Sequence, residues 1–401
     1  MTTHDSVEFW LGLFSTVLLL LQLPATAIVL SRLFRGLNRQ PRLPLQSPTP
    51  DLVGAVSIVL PTLNEAQRIT PCLNGLTRQS YEVREIIVVD SHSQDGTQDL
   101  VKAMAQSDPR FRLITDDSLP PGWVGRPWAL QTGFLTSSPE SEWILGIDAD
   151  TQPDPQLAAT VVKAAIAGKY DLVSLSCRFI LKYPGELWLQ PALLITLIYR
   201  FGPPDTQSAS PERLMANGQC FLCRRSVLET LGGYEIARSS FCDDVTLARY
   251  AASQGFEVGF LDGAEVLKVR MYDGFWDTWN GWGRSLDLKD ASSKPQLWCD
   301  LWVLAMVQGL PMVVLIIALV LIWQFSPVNP LFWLWVAVNG MLFLTRVGMN
   351  WAILPSYDFA QSPGSWAFWL SPLADPLAVV RLLQSAGQRS IQWRGKVYSK
   401  A

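Results

Sequence analysis

From residue 9 to residue 30 the chain runs almost without charge, interrupted only by Gln22 and Pro24. At ~1.5 Å per residue, a helix of that length crosses ~30 Å of hydrocarbon, so the stretch reads as a membrane span. A cleaved signal peptide carries basic residues ahead of a shorter apolar core. Here Asp5 and Glu8 precede the run, and Arg32, Arg35, Arg39 and Arg42 follow it. The positive-inside rule then puts the amino terminus outside and the next domain in the cytoplasm. A second apolar block, residues 301–323 and 331–354, is split by the turn Ser326-Pro327-Val328-Asn329-Pro330 and reads as a helical hairpin. Arg346 is costly inside the second arm, which should end or bend near it. Residues 366–383 are apolar too, but hold Pro372, Asp375, Pro376 and Arg381. A full crossing there would send Arg389, Arg394, Lys396 and Lys400 outside, so a re-entrant or interfacial segment is expected.

Composition agrees with a soluble domain between membrane segments. Of the 401 residues 49% are hydrophobic, too many for an ordinary soluble enzyme, while 17% charged is too many for a pure membrane bundle. The net charge of −3 points to neither nucleic acid nor an acidic partner. Six cysteines (Cys72, Cys177, Cys220, Cys223, Cys242 and Cys299) form no framework, and the two histidines are His4 and His92. Cys220-Phe221-Leu222-Cys223 has C-x-x-C spacing but no second pair, so buried free thiols are a better reading than zinc. Histidine catalysis is disfavoured by the same scarcity.

The expected division is a membrane helix with its basic stop (1–36), a linker (37–50), an α/β domain (51–297), a membrane hairpin (298–357) and a closing segment with a basic tail (358–401). Within the α/β domain, residues 55–60, 85–90, 112–114, 143–148 and 171–176 read as strands. Residues 65–78, 97–106 and 156–167 read as helices. That alternation implies βαβ units and a Rossmann-like, mostly parallel sheet, with ligands at the carboxyl ends of the strands. Polar residues gather at those ends. Leu60 leads into Pro61-Thr62-Leu63-Asn64-Glu65, and Val89 into Asp90-Ser91-His92-Ser93-Gln94-Asp95-Gly96-Thr97. Ile147 leads into Asp148-Ala149-Asp150, a carboxylate pair suited to holding a hard cation against a diphosphate. Each cluster alone also fits a helix cap or a turn. Three on strand ends of one sheet fit a binding site better.

Further along, Gly125-Arg126-Pro127 puts a cation at a helix start, where anions are favoured. Asp243-Asp244 opens another helix. Adjacent carboxylates repel, which raises the pKa of one and suits a general base, though acidic residues also complement a helix dipole. Trp279-Asn280-Gly281-Trp282-Gly283-Arg284 is either an interfacial aromatic belt or a wall over the site. Residues 186–201 are apolar but too short to span a bilayer. They form either a buried core helix or an interfacial one with Trp188 and Tyr199 at headgroup level. In the second case, with Trp279 and Trp282, they make a doorway for a lipid.

These residues resemble the membrane-bound inverting glycosyltransferases of family 2, which have a GT-A fold; the resemblance covers roughly residues 51–290. Pro61, Asn64 and Glu65 fall in the family's P-x-x-N-E opening. Asp90, Ser91, Ser93, Asp95 and Thr97 fall in the segment that holds the donor's base and ribose. Asp148 and Asp150 match the D-x-D that contacts donor and metal. Asp243 and Asp244 match the E-D pair whose second member is the base. Processive members end this series with Q-x-x-R-W, of which only Arg284 remains, followed by Ser285. Residues 119–129 and 392–398 resemble the lipid-modifying branch, with Arg126 in place of the usual lysine. Residues 281–290 resemble cyanobacterial carotenoid 2′-O-glycosyltransferases, with hopanoid-associated and ceramide-type transferases as rivals.

The resemblance implies transfer of a sugar from a nucleoside diphosphate to a hydroxyl of a membrane lipid or carotenoid. Mg²⁺ or Mn²⁺ would sit on Asp150 and Asp148, and Arg126 and Arg284 would assist the departing diphosphate. Trp282 would border the donor, Asp244 would act as base, and Asp243 would tune it. A bacterial plasma membrane, or a thylakoid, is the implied location. The alternatives are a polyprenyl-phosphate sugar transferase, a processive polysaccharide synthase, and a non-enzymatic membrane scaffold.

Overall fold

The first apolar run forms helix α1 (Thr3–Arg35), continuous through Pro24, in the computed structural model, which describes residues 3–205, 210–283, 288–388, 390–393 and 396–399. Residues 39–49 have no regular structure but are pinned along the α/β domain. Leu43 N–H donates to Asp262 O (3.0 Å), and Gln46 N–H to Thr160 Oγ1 (2.9 Å).

The domain's strands are β1 (Val56–Thr62), β2 (Val83–Asp90), β3 (Phe111–Thr115), β4 (Trp143–Ile147), β5 (Thr151–Pro153), β6 (Leu172–Ser176), β7 (Arg178–Ile180), β8 (Cys220–Arg224), β9 (Val258–Asp262) and β10 (Leu267–Val269). Between and after them come helices α2 (Thr70–Thr77), α3 (Thr97–Ser107), α4 (Gly125–Thr136), α5 (Leu157–Gly168), α6 (Pro184–Phe201), α7 (Arg225–Leu231), α8 (Asp243–Ser253) and α9 (Gly274–Trp282). Seven strands make the main sheet, in the order β3-β2-β1-β4-β8-β6-β9. Its central strands are near-continuous apolar runs because helices cover both faces. On one face α4 comes so close that a Cβ on Gly133 would meet Val59 Cγ1 at 2.3 Å. Strands β1 to β4 are mutually parallel, so their carboxyl ends share one edge. The registers place Thr62 beside Asp90, and Asp90 beside Thr115.

Two features differ from the expectation. Strand β8, with Cys220 and Cys223, inserts antiparallel between β4 and β6. The helix expected over residues 65–78 begins only at Thr70, because Pro71 has no N–H to donate to the preceding turn and so fits a helix's first turn and not its interior. All six cysteines are free; five are buried, and Cys299 is exposed.

The second apolar block forms α10 (Lys294–Leu304), a π-helical turn (Ala305–Gly309), α11 (Leu310–Phe325) and α12 (Pro330–Ile353). After it, β11 (Tyr357–Asp358) pairs with β7, completing a second sheet ordered β11-β7-β10-β5. Short helices α13 (Trp366–Trp369) and α14 (Asp375–Gly387) follow, then an antiparallel pair, β12 (Ser390–Trp393) and β13 (Lys396–Ser399). Among the described residues, three stretches are long and apolar enough to cross a membrane: Ser6–Arg35, Lys294–Phe325 and Pro330–Ser356. Residues 366–383 break into short helices instead.

Polar contacts hold the bundle together. Gln22 and Asn339 exchange hydrogen bonds of 2.8 and 3.0 Å, and Gln22 also donates to Met306 O (2.8 Å) at the π-helical turn. Arg346 does not end α12. It is buried, paired with Asp375 (2.8 Å) and bonded to Asn350 (2.6 Å), so its charge is met inside the protein. Arg346→Met is expected to destabilise the fold by ~3–5 kcal/mol, because it leaves Asp375 buried without its counter-charge. Adding Asp375→Leu should restore most of the loss. Thermal unfolding in detergent checks both, and a negligible effect of the single change would mean that the pair is well hydrated.

Helix α6 is largely core. Leu187, Leu189, Leu193, Ile195 and Tyr199 are buried, which removes Tyr199 from headgroup level. Trp188, Leu194 and Leu197 are half-buried, and Trp188 donates to Leu370 O (3.0 Å).

Candidate active site

The shared carboxyl edge of β1 to β4 opens into a cavity of 290 Å³. The first two strand ends are stitched together. Asn64 and His92 stand at the tips of their loops in left-handed conformations, with φ of 54° and 61°. The Asn64 N–H donates to Ser93 Oγ (2.8 Å), Glu65 N–H to Thr97 Oγ1 (2.8 Å) and Ala66 N–H to Asp95 Oδ2 (2.9 Å). In return, Gln94 N–H donates to Asn64 Oδ1 (2.9 Å). Asp90 is fully buried and accepts from Thr62 (3.0 Å), Ser93 (2.6 and 2.9 Å) and Gln98 (2.7 Å). Asn64, Asp90, Ser93, Asp95 and Thr97 thus shape the loops, and Pro61, Thr62, Leu63, Glu65, Ser91 and His92 line the cavity.

The opposite wall is ionic. Arg126, at the start of α4, spans from the β4 end to the start of α8. Its Nε and Nη2 donate to Asp148 Oδ1 (3.0 and 2.9 Å), Nη2 also to Gly218 O (2.7 Å), and Nη1 to Asp243 Oδ2. Burial works to lower the pKa of this guanidinium, but Asp148, Asp243 and Asp244 more than offset it, so it is held firmly charged. Asp244 Oδ2 accepts from Gly218 N–H (2.6 Å). Burial raises Asp244, and burial together with the Asp244 and Asp148 charges pushes Asp243 up to about 7 against the pull of Arg126. Asp150 is likewise pushed up to about 7, chiefly by burial and then by Asp148. Its Oδ1 is buried and has no hydrogen-bond partner among the described residues.

Such an orphaned carboxylate oxygen fits a cation. Among the described residues no group of three or more His, Cys, Asp or Glu is placed to hold a metal alone. A bound Mg²⁺ or Mn²⁺ would therefore take Asp150 and Asp148 from the protein and its remaining ligands from phosphate and water, the usual pattern for Mg²⁺.

Trp282 is buried beside Leu189 and Ala378, away from the cavity lining. It shares its buried cluster with Tyr272, which does line the cavity. Arg284 lies outside the described residues. The structure also adds lining residues that the motif reading passed over: Asp116 and Asp117 after β3, Asn217, Gly218 and Gln219 before β8, and Met271 and Tyr272. Asp116 accepts from Ser91 Oγ (2.7 Å), making β3 the fourth strand end in the site.

Gly218 has no room for a side chain. A Cβ there would lie 2.4 Å from Arg126 Nη2 and 2.9 Å from its Cζ. The fixed guanidinium cannot swing aside without leaving its carboxylates. Gly218→Ala should therefore cost ~1–3 kcal/mol and cut turnover by about tenfold or more, measured as kcat with the fold checked by circular dichroism. Unchanged kcat would mean that Arg126 tolerates displacement.

Residues 57–232 match the family described as Glycosyl transferase family 2. That stretch is a family 2 glycosyltransferase domain. The chain is 24% identical to a 4,4'-diaponeurosporenoate glycosyltransferase of Staphylococcus haemolyticus, over 61% of this chain and 64% of that protein. It is 28% identical to an undecaprenyl-phosphate 4-deoxy-4-formamido-L-arabinose transferase of Aeromonas hydrophila subsp. hydrophila, over 29% of this chain and 35% of that protein. The alignments thus span less than two thirds of either relative. Among solved structures, mannosyltransferase PcManGT of Pyrobaculum calidifontis, in complex with GDP-Man and Mn²⁺, superposes with a TM-score of 0.53 at 19% identity. That match covers 94% of this chain and 97% of the other, and the shared architecture is the GT-A fold.

Proposed function

We propose that this transferase moves a sugar from a nucleoside diphosphate to a hydroxyl of a membrane lipid, a carotenoid or hopanoid being the favoured class. The observation that carries the reading is Arg126. It ties Asp148, on the donor side, to Asp243, the neighbour of Asp244, so that both carboxylate groups face one cavity. In this reading residues 51–297 perform transfer on the cytoplasmic face of a plasma or thylakoid membrane. Residues 1–36 and 298–357 anchor them, and residues 358–401 lie at the interface.

The chemistry is a single displacement. The acceptor hydroxyl gives its proton to the Asp244 carboxylate while its oxygen bonds to the anomeric carbon. The bond from that carbon to the diphosphate oxygen breaks, its electron pair leaves with the diphosphate, and configuration inverts. Arg126 holds Asp148 and Asp243 in place, and Asp243 adds negative charge beside the base. A divalent cation on Asp150 and Asp148, when bound, neutralises the diphosphate.

The relative named for 4,4'-diaponeurosporenoate supports a carotenoid-type acceptor. The relative named for undecaprenyl phosphate supports a second reading, in which the acceptor is a polyprenyl phosphate. Lipid profiling of a deletion strain separates the two. A pigment or hopanoid lacking one glycosyl unit is expected, whereas loss of a polyprenyl-phosphate sugar would favour the second reading. An unchanged lipid profile would count against both.

A further inference from the structure

The strand ends that open into the transfer cavity stand in a row. In the order β4, β1, β2, β3 they cover three strand spacings, ~14 Å, comparable to the reach of an extended nucleoside diphosphate. On the donor reading above, the diphosphate sits at the β4 end, where the buried Asp150 Oδ1 has no partner among the described residues. The base then falls at the far end, after β3.

Two carboxylates line the cavity there. Asp116 is buried and accepts from Ser91 Oγ (2.7 Å). Asp117 is exposed, and its main chain is fixed by the Trp128 indole, which donates to Asp117 O (3.1 Å). The Asp117 carboxylate itself accepts no hydrogen bond from any described residue. Among the described residues the lining holds two guanidiniums, and both are engaged elsewhere: Arg68 with Glu65, and Arg126 with Asp148 and Asp243. Leu63, His92 and Leu119, from the ends of β1, β2 and β3, supply surface for the faces of a ring.

We propose that the donor is a guanosine diphosphate sugar whose base is read by Asp117, an assignment that rests on the donor reading above. A carboxylate sets two acceptor oxygens side by side and offers no donor. Guanine alone among the common bases presents two adjacent donors, N1–H and the 2-amino group, which a carboxylate matches in bidentate fashion. Uracil places its one N–H between two carbonyl oxygens, so the second carboxylate oxygen would face another acceptor. Neither lining guanidinium stands free to offset that repulsion. Adenine and cytosine each pair one donor with one acceptor and lose half the match.

The test is calorimetric titration of full-length protein in detergent with Mg²⁺ present, so no acceptor is needed. GDP is expected to bind about tenfold or more tightly than UDP, ADP or inosine diphosphate, the last of which lacks only the 2-amino group. Asp117→Asn should weaken GDP by about tenfold and strengthen xanthosine diphosphate, because a carboxamide can donate to its 2-carbonyl and accept from its N1–H. The wild-type comparison stands even if the variant fails to fold. Equal binding of GDP and UDP, or a guanine preference that survives in Asp117→Asn, would overturn the assignment and leave the donor reading in place. An equal loss for every nucleotide in the variant would put the carboxylate on the shared ribose and overturn it too. Binding of no nucleoside diphosphate would overturn both readings.

Discussion

Asp150→Asn is expected to lower sugar transfer by a hundredfold or more, equivalent to ~3–4 kcal/mol of barrier. Asparagine matches the side chain in shape, and the backbone at this position stays held by the bond from Arg270 N–H to Asp150 O (2.9 Å). What changes is the buried Oδ1, because a carboxamide is a poor ligand for a hard cation. A transfer assay with labelled donor measures the loss. In wild type, a chelator should abolish activity, and Mg²⁺ or Mn²⁺ should restore it. Full turnover in chelator would remove the metal from the mechanism. The same change has a stability signature in metal-free buffer. Burial raises the Asp150 pKa to about 7 in the folded state, so the native protein holds a proton that the unfolded chain releases. Wild-type stability should then fall between the ordinary carboxylate range and pH 7, and Asp150→Asn should lose this part of the slope.

Asp244→Asn is expected to stop transfer while leaving donor binding intact. Its oxygen can still accept from Gly218 N–H, so the loop keeps its shape, but no carboxylate remains to take the acceptor's proton. General-base removal typically costs ~10²–10⁴-fold in rate. Calorimetric titration of the nucleotide sugar, beside single-turnover transfer, separates the two effects. Donor affinity falling in step with rate would make Asp244 a donor ligand instead. Because burial raises Asp244, the acidic limb of the wild-type rate should lie above the ordinary carboxylate range. Asp243→Asn looks mild when read from sequence alone. Its contact with Arg126 gives it a structural part as well, and its effect should reach Asp148 through that guanidinium.

Much of this site was legible in the chain because its strands are apolar on both faces and stop abruptly at polar residues. Val59-Leu60 before Pro61, Val88-Val89 before Asp90 and Gly146-Ile147 before Asp148 each mark where a buried strand meets solvent. Strand β8 left a weaker trace. Cys220-Phe221-Leu222-Cys223 is short, and its spacing suggests thiol chemistry before it suggests an antiparallel insertion. Asn217-Gly218 ahead of it is an ordinary turn signal, and its place beside Arg126 depends on tertiary packing. The delayed start of α2 has a local origin: Pro71 has no N–H for the preceding turn, so the helix opens at Thr70. What local pattern does not show is that Ser93, Asp95 and Thr97, distant in sequence, take the N–H groups of residues 64 to 66. Likewise, charge at Arg126 is written in the sequence, whereas its division between Asp148 and Asp243 is not.

The small sheet β11-β7-β10-β5 has a mechanical meaning. Strand β11 follows α12 after one 3-10 turn (Leu354–Ser356), and β5 begins at the residue next to Asp150, so main-chain hydrogen bonds run from the bundle to the carboxylate turn. Lys268 adds an ion pair to Asp358 (2.7 Å) at the far edge. In the proposed reading, with α12 seated in a bilayer, the sheet would work as a depth gauge. The reacting carbon would stand at a set height above the lipid, and an acceptor would be selected by how far its hydroxyl emerges as well as by its shape.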